Sequence, residues 1–205
     1  MVMSQSIVST LRDYVAPLLD QGRADILDAL ALELPRKVSV EAKSDAVELR
    51  FTMLPQEKTN WCWAATTASV SRFFDSTSTW TQSGVAAACL ARSYCPQEWP
   101  CNVPYYLDRA LATTKNMRGS PAASNIEVAI VREELQLDRP VCCHVKWNGG
   151  GGHFLAIYGV DADDEDLQVA DPLFGLSTLP YETFATRYRG IGTWDYTYYL
   201  KPEDE

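Results

Sequence analysis

Residues 54–75, LPQEKTNWCWAATTASVSRFFD, constrain this chain more than any other stretch. A polar, turn-like run (Glu57, Lys58, Thr59, Asn60) leads to Cys62. The small residues Ala64, Ala65 and Ala68, with Val70, Phe73 and Phe74 beyond them, read as a helix buried in the molecule. The pattern places a thiol on the first turn of that helix. Backbone N–H groups are unpaired there and the helix dipole favours an anion. A thiol is a nucleophile only as its thiolate, so this setting suits an attacking cysteine. The residue type by itself favours a packed core cysteine instead, and the neighbours have to decide.

The rest of the chain narrows the choice. At 205 residues it is long enough to bury a sizeable core without depending on disulfides. The net charge of −9 argues against nucleic acid and against anionic membrane surfaces, both of which recruit basic patches. The opening MVMSQSIVSTLRDYV lacks a basic segment followed by a continuous apolar one, and no run approaches a membrane span in length. The chain is therefore expected in the cytoplasm, or exported by a specialised secretion system that needs no classical signal. Cysteines stand at 62, 89, 95, 101, 142 and 143. The equal spacing of Cys89, Cys95 and Cys101 lacks the paired pattern of a zinc site; a Cys95–Cys101 or Cys89–Cys101 disulfide, or reduced thiols, fits better. No metal is expected.

Residues 5–34 carry apolar positions at helical spacing, broken at Gln21–Gly22 and ended by Pro35. They read as a pair of packing helices, or as a removable segment or recognition extension of the main domain. Residues 38–54 alternate like two strands of a hairpin. Residues 1–50 are thus set apart as an N-terminal extension, with the main domain at 51–205. Helices are expected over 83–92, 103–113 and 125–135, the last capped by Asn125. A strand follows at 140–147, PVCCHVKW, and a helical or irregular piece (181–188) precedes a final strand at 193–200.

Two histidines compete as a base for the thiol. His144 sits in mid-strand, whereas His153 follows the glycine run 149–152, which allows a substrate chain to lie close beside it. Residues 153–160 and 167–170 alternate as strands about the acidic turn 161–166. That turn lacks the residue order of a calcium loop. Pairing these strands as an antiparallel hairpin brings His153, at the start of one, to within a residue or two of Asp171, at the end of the other. A carboxylate on one ring nitrogen fixes the tautomer and leaves the other nitrogen for Cys62. Asp171 also suits a plain turn before Pro172.

Gln56, then Cys62 and Trp63 opening a helix, with GGGGHFLAIYGVD around His153 and LQVADPLFG around Asp171, together resemble the papain-like cysteine peptidases. The likeness is to the bacterial branches, the plant-associated effector peptidases and the bacteriocin-leader double-glycine peptidases, and covers roughly residues 54–200. Asn60–Trp61 departs from the small residues papain carries before its cysteine, and Asp171 stands where papain has Asn. The resemblance implies an α+β fold, a helical half and a twisted antiparallel half with the site in the cleft between them. It implies a Cys62–His153–Asp171 triad acting through a thioester, with Gln56 in the oxyanion hole. Trp61, Trp63, Gly151 and Gly152 would border the substrate cleft. A protein or peptide substrate, no cofactor and a monomeric state are expected. Glutamine deamidation or transamidation on the same fold, leader-peptide processing, and a binding module without chemistry are the rival readings.

Overall fold

The computed structural model describes residues 46–95, 100–162 and 165–205. The helices expected over 5–34 and the first strand of the expected hairpin lie outside the described residues. The described residues fall in one compact unit of the chain.

Among the described residues six antiparallel strands form a single sheet: β1 (Val47–Glu48), β2 (Val141–Trp147), β3 (Gly152–Val160), β4 (Asp166–Asp171), β5 (Gly175–Pro180) and β6 (Gly192–Tyr198). They run in the order β5-β4-β3-β2-β6, and β1 pairs with the far end of β3, Val47 opposite Val160. Val47 and Glu48, assigned to the extension on sequence, therefore belong to the sheet. β3 is the central strand and is buried from Leu155 to Val160. Its apolar run reflects cover on both faces. β5, an edge strand, alternates exposed and half-buried residues. It falls in a stretch for which the sequence suggested no element.

Five helices complete the described chain: α1 (Cys62–Phe74), α2 (Gln82–Cys89), α3 (Leu107–Thr113), α4 (Val128–Gln136) and α5 (Tyr181–Arg187). α1 is buried continuously from Trp63 to Ser71. That explains its Ala, Ser and Thr content, since small side chains let α2, α3 and β3 pack closely around it. The polar members of the helix are mostly satisfied: Ser69 donates to Ala65 O and accepts from Leu54 N–H, and Ser71 bonds Ser78. α3 starts four residues later than expected, because residues 103–106 stay extended along the cleft. α4 begins at Val128 after Glu127, and Asn125 reaches Tyr181 Oη (3.4 Å) rather than capping the helix.

Candidate active site

Cys62 opens α1 and is partly exposed, at the mouth of a cleft of about 880 Å³. No side chain caps this helix, so its first N–H groups have no side-chain partner. The loop before it is tied down from several sides. Gln56 N–H donates to Pro172 O (2.8 Å), and Gln82 brackets the loop, its Nε2 donating to Pro55 O and its Oε1 accepting from Glu57 N–H. Asn60 is locked to Asn102 by two hydrogen bonds, at 2.9 and 3.0 Å. The thiol is thus fixed by a braced loop as well as by its helix.

His153 stands on β3 and Asp171 ends β4. A register shift at Tyr158 slides β4 by one residue, so that Ala170 lies opposite Ala156 and Asp171 is carried toward the start of β3. His153 Nε2 meets Asp171 Oδ1 at 2.8 Å, with both residues almost wholly buried. The second ring nitrogen is left for Cys62, which lines the same cleft and lies close enough to influence the titration of the ring. Burial pushes the ring toward its neutral form. The hydrogen bonds to Asp171 and Cys62 and the charges of the two groups outweigh it, raising His153 from 6.5 to about 9. Burial likewise opposes ionisation of Asp171, but the hydrogen bond and charge of His153 hold its carboxyl below the usual range.

Asp171 accepts three further hydrogen bonds. The N–H groups of Leu173 (2.7 Å) and Phe174 (2.8 Å) donate to Oδ1, so the turn role and the His153 contact hold together. The Tyr188 hydroxyl donates to Oδ2 at 2.8 Å. Burial, with the Asp171 charge beside it, pushes the Tyr188 hydroxyl well up, so it stays a donor. Trp147 stacks on both His153 (6.0 Å) and Tyr188 (6.3 Å), and Phe174 meets His153 edge-on. These rings screen the His153–Asp171 bond from water, which strengthens it.

Sequence reasoning missed Tyr188 and Trp147. Neither carries a local signal: an aromatic among ten tyrosines and six tryptophans becomes specific only through its partner.

The other expected residues divide. Trp63 and Gly152 line the cleft. Trp61 does not: it is fully buried, its indole N–H donating to Cys101 O, and it anchors the 100–103 segment. Gly151 (φ +75°) and Gly150 (φ +94°) form the turn between β2 and β3, which demands residues tolerant of positive φ. Gln56 Nε2 donates to the carbonyls of Lys58 (2.9 Å) and Thr59 (3.0 Å), so both amide hydrogens brace the loop and the side chain is not part of the cleft wall. Cys95 and Cys101 form a disulfide, whereas Cys89, Cys142 and Cys143 are free thiols. Among the described residues no cluster of three or more His, Cys, Asp or Glu is arranged to hold a metal. No described helix is long and apolar enough to cross a membrane.

His144, the rival base, also has a carboxylate: its Nδ1 lies 2.6 Å from Asp195 Oδ1. The influence of Cys62 separates the two histidines: it bears on the titration of His153.

No curated protein matches the chain. The family model described as papain-like cysteine protease AvrRpt2 matches residues 43–188, well over half its length and including Cys62, His153 and Asp171. The α+β fold follows the same pattern, a helix bearing the cysteine against an antiparallel sheet bearing the histidine. The chain belongs to the papain-like cysteine protease AvrRpt2 family and is a cysteine protease, a hydrolase acting on protein.

Proposed function

We propose that the chain hydrolyses peptide bonds through a Cys62–His153–Asp171 triad. The observation that carries this reading is the buried relay from Tyr188 through Asp171 and His153 to the partly exposed Cys62. The Cys62 thiolate attacks the scissile carbonyl carbon, and the carbonyl electron pair moves to oxygen. The Cys62 N–H, first in α1, faces that developing charge; each such donor is worth roughly 10²–10³ in rate. A contribution from Gln56 requires its amide to turn from the Lys58 and Thr59 carbonyls when substrate binds. Collapse of the tetrahedral adduct breaks the C–N bond, and the His153 imidazolium gives its proton to the departing amine. Neutral His153 then takes a proton from water, the resulting hydroxide adds to the thioester, and release of the acid restores thiolate and imidazolium. None of these steps calls for a metal or cofactor. The enzyme works as a monomer on protein or peptide, in the cytoplasm or after export by a specialised route.

The test is alkylation by iodoacetamide at pH 6, followed by intact mass, on wild type, Cys62→Ala and His153→Ala, with peptide and glutamine-amide panels alongside. Rapid single labelling that needs both residues, with cleavage of peptides, is expected. Labelling spread over the other thiols and indifferent to His153 overturns the triad. Ammonia release without cleavage replaces peptidase with deamidase.

A further inference from the structure

The cleft holds a second histidine–aspartate pair that the triad does not use. His144 lies on β2 and Asp195 on β6. The two strands pair regularly except at this point: His144 faces Tyr196 and Val145 faces Trp194, so Asp195 is the extra residue of a bulge. A bulge re-aims a side chain out of its ladder position, and bulges concentrate beside active sites. Here it swings the Asp195 carboxylate onto His144 Nδ1. The ring is also pinned by Phe154, 4.9 Å away, and by the edge of Tyr196. Its opposite edge lies over Gly152, where an added Cβ would fall 2.0 Å from His144 Nε2. The backbone one residue before His153 is therefore bare, and the imidazole occupies the space. His144 and Phe154 line the same cleft as Cys62, and both members of the pair are partly exposed. Asp195 can only accept, so in the neutral ring the proton sits on Nδ1 and Nε2 presents a lone pair. No described residue donates to it.

We propose that His144, oriented by Asp195, is a specificity-determining residue whose Nε2 accepts a hydrogen bond from a donor-bearing substrate side chain lying in the cleft beside the imidazole. The chemistry selects hydroxyl, amide or indole side chains at one substrate position, against the aromatic wall of Phe154. Simple aliphatic side chains leave the lone pair without a partner, which costs binding. The inference rests on the peptidase reading above.

The experiment uses a positional library of peptidyl vinyl sulfones, which capture Cys62 covalently, on wild type, His144→Phe, His144→Gln and Asp195→Asn at pH 7.5. Iodoacetamide labelling of each variant, with and without His153→Ala, runs in parallel. His144→Phe should leave iodoacetamide labelling within about twofold yet lose about tenfold in capture of donor-bearing probes at one position, the worth of one hydrogen bond. His144→Gln, which restores an acceptor, should recover most of that loss, and Asp195→Asn should fall between. A His144→Phe profile that superimposes on wild type, with labelling still dependent on His153, overturns this proposal and leaves the triad standing. Labelling indifferent to His153 in every variant brings down the peptidase reading and this one with it.

Discussion

At the scale of single residues, the site depends on how fully Asp171 is satisfied. Four donors converge on a buried carboxylate: His153, two backbone N–H groups and Tyr188. A buried ionised group without such partners would be costly, and each lost hydrogen bond to a charge is worth ~1.5–3 kcal/mol. Tyr188→Phe keeps the ring stacked on Trp147 and removes the hydroxyl alone. It should destabilise the fold by ~1–3 kcal/mol in urea unfolding, because Oδ2 loses its donor. The kcat for peptide cleavage should also fall about tenfold, equivalent to 1.4 kcal/mol of lost positioning, with KM little changed. A stability loss with unchanged kcat would reduce Tyr188 to a structural role. Gln56 shows the opposite lesson: its residue type and spacing suggest one task, but its two amide hydrogens are already spent on Lys58 and Thr59 carbonyls.

At the scale of elements, the cleft wall opposite the sheet is a short extended segment held by a clasp. The Cys95–Cys101 disulfide fixes its start, the Trp61 and Trp63 indoles donate to Cys101 O and Val103 O, and Asn102 binds the loop before Cys62. Tyr105, two residues along, packs against Trp63 in a tilted arrangement at 5.1 Å and lines the cleft. The Cys95→Ser/Cys101→Ser double variant should cost ~2 kcal/mol by loop-closure entropy for so short a span. Urea unfolding would measure it, and KM should rise because the wall loses its anchor. An unchanged KM would show that the tryptophan and asparagine bonds hold the wall by themselves. The small-residue pattern of α1 was legible in the sequence, because it follows directly from burial; β3 was legible as a strand, but read as alternating, whereas cover on both faces buries it continuously from Leu155. β5 was not legible, because an edge strand half open to solvent carries no strong period. The bulge at Asp195 was hidden as well, although a lone acid in the aromatic run TWDYTYY is the kind of signal that could have pointed to it.

At the scale of the whole molecule, the buried His153–Asp171 pair links stability to pH. His153 titrates higher folded (about 9) than unfolded (6.5), so its contribution is full below about pH 6.5 and is lost as pH rises through about 9. Asp171 titrates lower folded than unfolded, so its contribution is present above the ordinary carboxyl range and is lost as pH falls through the depressed folded value. Thermal melts should therefore decline on the alkaline side between about pH 6.5 and 9, and His153→Ala should flatten that limb. A limb unaltered in the variant would mean that another group carries it. The sequence by itself determined the helix that carries Cys62, the glycine turn before His153 and the hairpin that sets His153 near Asp171. Each of these rests on local periodicity, turn chemistry or strand pairing over fewer than 25 residues. Tertiary structure decided the contacts that no local pattern marks: Tyr188 at Asp171, Trp147 over His153, Asn102 at Asn60 and Asp195 at His144. Those contacts join residues that spacing cannot relate. Their geometry is set by sheet order, by two register shifts and by the packing of a core around α1.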